Sequence, residues 1–151
     1  MSYDTIEAAV KTLLLNGGVT GLSTANANVT QGDYRPLGKR NLVVVLNPGA
    51  IPEMGFVGND TKRMTWVVEL EVFIKYNLDL TTIKSSIRTV RDGIITHLNK
   101  YPTLNATANV VLAELTGAEA PELAGYGERR FWTQKLYLTA KEEVQVTGGE
   151  Y

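Results

Sequence analysis

The stretch from Arg63 to Tyr76, RMTWVVELEVFIKY, constrains the fold more than any other part of the chain. Trp66, Val68, Leu70, Val72, Ile74 and Tyr76 share one face of an extended backbone; Thr65, Val67, Glu69, Glu71, Phe73 and Lys75 share the other. A period of two carried by β-branched and aromatic residues predicts a long strand with one face in a core. Burying an aliphatic side chain contributes roughly 1.5–3 kcal/mol, so the Trp66–Ile74 face supplies on the order of 10 kcal/mol. That is an upper bound, because an unfolded chain already buries some of the same surface. The opposite face is mixed. Glu69 and Glu71 seek water while Val67 and Phe73 do not, which marks Val67 and Phe73 as candidates for contact with a second subunit.

On either side of this strand the pattern changes. Ile6, Val10, Leu13 and Leu14 repeat at helical spacing, with Asp4 as a candidate N-cap, Glu7 three residues on, and Asn16-Gly17-Gly18 as a stop. From Val19 to Asn41 the chain is small and polar and reads as a long loop. If this is an arm that orders against a neighbour, Tyr34, Arg35 and Leu37 are its anchors; the plainer reading is a surface loop. Leu42–Leu46 is a continuous apolar run, consistent with a strand covered on both faces. The segment Ala50–Lys62 reads as a second long loop. Its Ile51, Met54, Phe56 and Val57 either tuck beneath the domain or await a partner.

Beyond Tyr76, with Asp79 or Thr81 as cap, Leu80, Ile83, Ile87, Val90, Ile94 and Leu98 define the core stripe of a second helix ending before Pro102. A glycine costs about 1 kcal/mol inside a helix, so Gly93 implies a close neighbour, expected to be the first helix. Lys84, Arg88 and Arg91 lie along one flank. Three cations at this spacing usually form a solvated face; the alternative is contact with an acidic partner or a nucleic-acid backbone, without sequence reading. Val110–Leu115 and Phe131–Thr139 read as two further strands, separated by a Gly/Pro-rich loop, and the residues from 140 onward as a fraying tail in which Val144 and Val146 could instead extend a strand. No internal repeat is legible. The expected fold is therefore α+β, one domain over residues 1–151. It has an antiparallel or mixed sheet of about four strands, two helices on one face and long connecting loops.

Composition removes several function classes. The 151 residues include no cysteine and one histidine, so thiolate chemistry and a histidine-rich metal cluster are excluded. Formal net charge is −1, giving no basic field for nucleic acid or membrane. No apolar run approaches the ~20 residues that span a bilayer, and no secretion-signal pattern opens the chain, so assembly in a cytosol is expected. His97 sits beside the apolar stripe of the second helix and reads as structural. Glu69 and Glu71 read as solvated or paired with lysines across the sheet, and Glu142-Glu143 as a solvated terminus. No nucleophile, phosphate-cradling loop or ligand set stands out, so neither an enzyme nor a cofactor is expected.

Taken together, the helix YDTIEAAVKTLLLNG, the strands LVVVLNP and WVVELEVFIKY, the helix DLTTIKSSIRTVRDGIITHLN and the closing strand FWTQKLYLT resemble the tail terminator, or tail-completion, proteins of long-tailed bacteriophages. The resemblance is one of size, element order and texture over most of the chain. It implies a homo-oligomeric ring, typically a hexamer, that caps the tail tube and joins the tail to the head–neck connector. The implied partners are further copies of the chain, the tail tube protein and the connector. They extend to transient, non-specific contact with passing DNA at Lys84, Arg88 and Arg91, and no membrane is involved. The implied location is the virion neck, after assembly in the host cytoplasm. It implies no catalytic residues. A phage head-completion or neck protein, or a small cytosolic protein-binding module, is the alternative.

Overall fold

The computed structural model describes residues 3–32, 41–49, 52–56, 60–75, 80–107, 109–126 and 129–145, at 80–84, 124–126, 129 and 145 through the backbone only. Two helices, α1 (Tyr3–Leu14) and α2 (Leu80–Leu98), accompany seven strands: β1 (Val29–Gln31), β2 (Leu42–Pro48), β3 (Glu53–Phe56), β4 (Thr61–Lys75), β5 (Val110–Ala118), β6 (Glu122–Tyr126) and β7 (Arg129–Gln145). All seven strands join one sheet. The order β1-β2-β4-β7-β5 runs across it, with β3 on β4 and β6 on β7. Every pairing is antiparallel except β1 with β2, so the sheet is mixed.

The alternation in β4 does what its pattern demands. Val68, Leu70 and Val72 are buried on one face, together with Val44 and Leu46 of β2 and Leu136, Leu138 and Ala140 of β7. Registered rows such as Leu46–Leu70–Leu136 carry this apolar surface across three strands. Both helices lie on this face, contributing Ile6, Val10, Leu13 and Leu14 from α1 and Val90, Ile94 and Leu98 from α2. The run Val43–Leu46 is buried throughout, as its lack of alternation requires, with Val43 and Val45 pointing to the opposite face. There they meet Phe73 and Phe131, whose rings contact edge-on at 5.2 Å.

The sheet has seven strands where about four were expected, and two of the three extra strands have one cause. β4 and β7 are long enough to extend beyond the helices, and short polar or glycine-rich segments take backbone hydrogen bonds from their free edges. β3 arises in this way within the expected loop Ala50–Lys62, and β6 within the loop after Leu115. β1 lies in the segment Val19–Asn41, where Asn28 donates its side-chain amide to the Gly21 carbonyl and accepts from the Ser23 amide. The expected fraying tail is likewise strand as far as Gln145, because Thr61–Trp66 of β4 supplies a partner for every residue from Ala140 to Gln145.

Smaller expectations change as well. α1 begins at Tyr3, so Asp4 lies within its first turn rather than capping it. Glu7 is buried and accepts a hydrogen bond from Gln31 Nε2 at 2.9 Å, tying α1 to β1. Thr81 is inside α2, and Asp79 lies outside the described residues. A Cβ on Gly93 would meet Val19 at 3.6 Å, so its close neighbour is the turn after α1, not α1 itself.

The arrangement also contains a repeat. β2 and β3 together line the outer edge of β4, and β5 and β6 line the outer edge of β7. An offset of 70 residues carries Thr61–Lys75 onto Phe131–Gln145, and the outer strands follow at an offset of 67: Val45 and Leu112 stand opposite Glu71 and Lys141, and Gly55 and Glu122 opposite Arg63 and Thr133. Val68 and Leu138, themselves 70 apart, are cross-strand partners, so a local two-fold axis passes between them. The chain is two helix–broken strand–long strand units facing one another across β4 and β7.

Candidate functional site

The helix-bearing face is filled, so what remains for function is the opposite face and the sheet edges. The centre of the opposite face is polar and internally paired. Lys135 Nζ stands 3.3 Å from Glu69 Oε1, and Thr133 Oγ1 donates to Glu71 Oε2 at 3.0 Å. The Glu69 carboxylate raises the Lys135 pKa, while burial and then the Glu119 carboxylate raise that of Tyr137. Glu69 is thus paired with a lysine across the sheet, one of the two expected outcomes, whereas the partner of Glu71 is a threonine hydroxyl.

Both terminal glutamates are structural. Glu143 pairs with Arg63, whose Nε donates to Glu143 Oε1 at 3.0 Å. Glu142 is 2% exposed on the helix-bearing face, where Oε2 has no hydrogen-bond partner. Burial pushes its carboxyl above the usual range, with Trp66 and Lys62 pulling the other way. Taking the carboxylate out of water is costly and disfavours its charged form. Tyr3 lies beside Trp66, ring centroids 6.4 Å apart, and burial followed by the Glu7 carboxylate raises its hydroxyl pKa.

His97 is buried. Its Nε2 lies 2.8 Å from the Leu13 carbonyl oxygen, which can only accept, so Nε2 carries the proton. The ring stacks edge-on against Tyr101 and covers Gly18. This joins the C-terminal ends of α1 and α2. Among the described residues no group of three His, Cys, Asp or Glu side chains could hold a metal ion.

The exposed apolar residues lie at the edges. Met54 is 63% and Phe56 57% exposed on β3, Leu123 48% on β6 and Val111 45% on β5. Met54 and Phe56 therefore do not tuck beneath the domain: β3 pairs with the first residues of β4, beyond the reach of either helix. Of the other candidate interface residues, Phe73 is buried against Phe131 and leaves little surface for a neighbour, and Val67 is half-buried beside Gly49. Tyr34, Arg35, Leu37, Ile51 and Val57 lie outside the described residues. On α2, Arg88 is exposed, Arg91 is half-buried and bonds through Nε to Asp92 at 3.0 Å, and the Lys84 side chain is not among those described.

The exposed edge strands could have been found in the sequence through a signal that is easy to miss. Pro52-Glu53-Met54-Gly55-Phe56 and Pro121-Glu122-Leu123-Ala124-Gly125-Tyr126 share proline, glutamate, an apolar residue, glycine and an aromatic, and both fold as outer-edge strands. Leu123 and Val111 had no other signal, since each stands in a segment of ordinary texture. No protein-family model matches this sequence, and no curated protein matches it significantly. No helix among the described residues is long and apolar enough to cross a membrane.

Proposed function

We propose that this chain is a structural protein of the phage neck: a tail terminator that assembles as a hexameric ring, caps the tail tube, ends its polymerisation and joins it to the head connector. The observation that supports this best is the exposed edge. All four residues of β3 are exposed, two of them large and apolar, on a sheet whose other resource, its apolar face, both helices have already taken. An exposed strand edge with apolar side chains is a template for another chain, and soluble monomers usually blunt such edges. The resemblance in element order supplies the identity of the partners. The chain acts by binding, without catalysis or cofactor, and Arg88 and Arg91, with Lys84 on the same helix, provide a basic flank for an acidic neighbour or passing DNA.

The test is assembly with purified tail tube protein, followed by electron microscopy. Addition of this chain is expected to narrow the distribution of tube lengths and to place a ring at one end of each tube. Tubes of unchanged length without end rings overturn the proposal.

A further inference from the structure

We infer that β3 is a self-recognition edge: two copies of this chain pair β3 to β3 in antiparallel fashion across a two-fold axis at Met54, joining their sheets. The pair uses the same exposed edge that supports tube capping, but it forms with no tube protein present, so the two are tested separately.

Its first support is an exposed edge. Among the described residues β3 pairs with β4 alone of the strands, and Glu53, Met54 and Gly55 are exposed. The second is charge complementarity written into the register. Gly55 stands opposite Arg63 on β4, and Glu53 opposite Thr65, so Glu53, Gly55 and Arg63 belong to the same face. A two-fold centred on Met54 sets Glu53 of each copy opposite Gly55 of the other. Gly55 has no side chain, and a Cβ built there meets nothing within 4 Å, so the Glu53 carboxylate can pass over it towards the Arg63 guanidinium behind. The contact occurs twice, once in each direction, as a two-fold interface requires.

The groups it needs are available. Glu53 forms no ion pair among the described residues, and the Arg63 side chain is 41% exposed even while it holds Glu143. A guanidinium has five N–H donors, enough for a second carboxylate. On the other face the same register places Met54 against its own copy at the axis, apolar against apolar.

The equivalent segment at the other end of the sheet lacks this device. Ala124 intervenes in β6, so Glu122 and Gly125 are three residues apart and fall on opposite faces. The contact is short, four residues from each copy, well below the area of a permanent interface, so pairing is weak and concentration-dependent.

Sedimentation of the purified full chain over a range of concentrations tests this. The wild-type chain is expected to approach a pair as concentration rises. Glu53→Arg alone sets two guanidinium groups against each other, and Arg63→Glu alone sets two carboxylates together, so each is expected to raise the dissociation constant by about tenfold or more. An equimolar mixture of the two variants forms a hetero-pair in which both contacts are attractive, one as in wild type and one with the charges exchanged, and is expected to pair more tightly than either variant alone. The double variant, Glu53→Arg with Arg63→Glu in one chain, restores both contacts with the charges exchanged and is expected to pair as well as wild type. Met54→Lys, which leaves Arg63 and Glu143 untouched, is expected to abolish pairing by placing two ammonium groups at the axis. A wild-type chain that never pairs overturns the inference, as do single variants that pair normally or a double variant that does not recover. A chain that caps tubes but never pairs would overturn this inference while leaving tube capping intact; pairing as described without tube capping would do the reverse.

Discussion

Replacing Gly18 with alanine tests the joint between the two helices. The Gly18 backbone is not left-handed, so alanine suits it conformationally, and the obstacle is steric. A Cβ at this position would stand 2.0 Å from His97 Cε1, 2.2 Å from Nδ1 and 2.7 Å from Nε2. None of these can persist, and the ring has little room to move, being 4% exposed, stacked on Tyr101 and bonded to the Leu13 carbonyl. Displacing it sacrifices that hydrogen bond and leaves the Leu13 carbonyl only the long bond from the Asn16 N–H at 3.4 Å, costing about 0.5–1.5 kcal/mol. Overpacking adds about 1–3 kcal/mol, so a total of roughly 1.5–4.5 kcal/mol is expected. With a urea m-value of about 2 kcal/mol/M the midpoint falls by roughly 1–2 M.

The decisive comparison is the double variant. His97→Ala alone loses the same hydrogen bond and opens a cavity, costing about 2–4 kcal/mol. Once the ring is gone, Gly18→Ala has nothing to strike and should add under about 1 kcal/mol. The reasoning is refuted if the two losses add, or if Gly18→Ala alone costs less than about 1 kcal/mol.

Leu70→Ala, in the centre of the fully buried row Leu46–Leu70–Leu136, should cost roughly 2–4 kcal/mol, against about 1 kcal/mol for its neighbour Glu71→Ala on the polar face; urea denaturation of both is the check. Glu142 has a folded pKa raised above its ordinary value of 4.5, so the native state holds its proton more tightly. The resulting stabilisation is complete below that value and is lost as pH rises through the folded pKa; Glu142→Gln should flatten this part of the stability–pH curve measured by urea denaturation from about pH 4 to pH 8. Replacing Lys84, Arg88 and Arg91 together by glutamine should leave stability within about 1 kcal/mol, because exposed ion pairs such as Arg91–Asp92 contribute little. The cost should appear in the yield of infectious particles, and a normal yield would leave the flank as a solvated surface.

Periodicity is a local property, and what depended on it was determined by the sequence alone. The buried stripe of α1, the lower stripe of α2, the two faces of β4 and the all-buried run in β2 follow from side-chain spacing, because a helical or two-residue period dictates which residues share a face. So did the placement of both helices on one side, which needs only one apolar sheet face and two amphipathic helices. Exposure of Met54 and Phe56, burial of Phe73 and Glu142, and the strands β1, β3 and β6 were decided by tertiary structure. Short segments have too few residues to carry a period, and their hydrogen bonds come from whichever edge lies beside them. The reach of β7 to Gln145 depended in the same way on the first residues of β4, far away in the chain, with Thr61 opposite Gln145. Of the candidate site, Met54 and Phe56 were legible as apolar residues in a segment unable to bury them by itself. That they face solvent on one side of the sheet, while on the other Gly55 leaves the path to Arg63 open, is a matter of register, and register is set only when the strands meet.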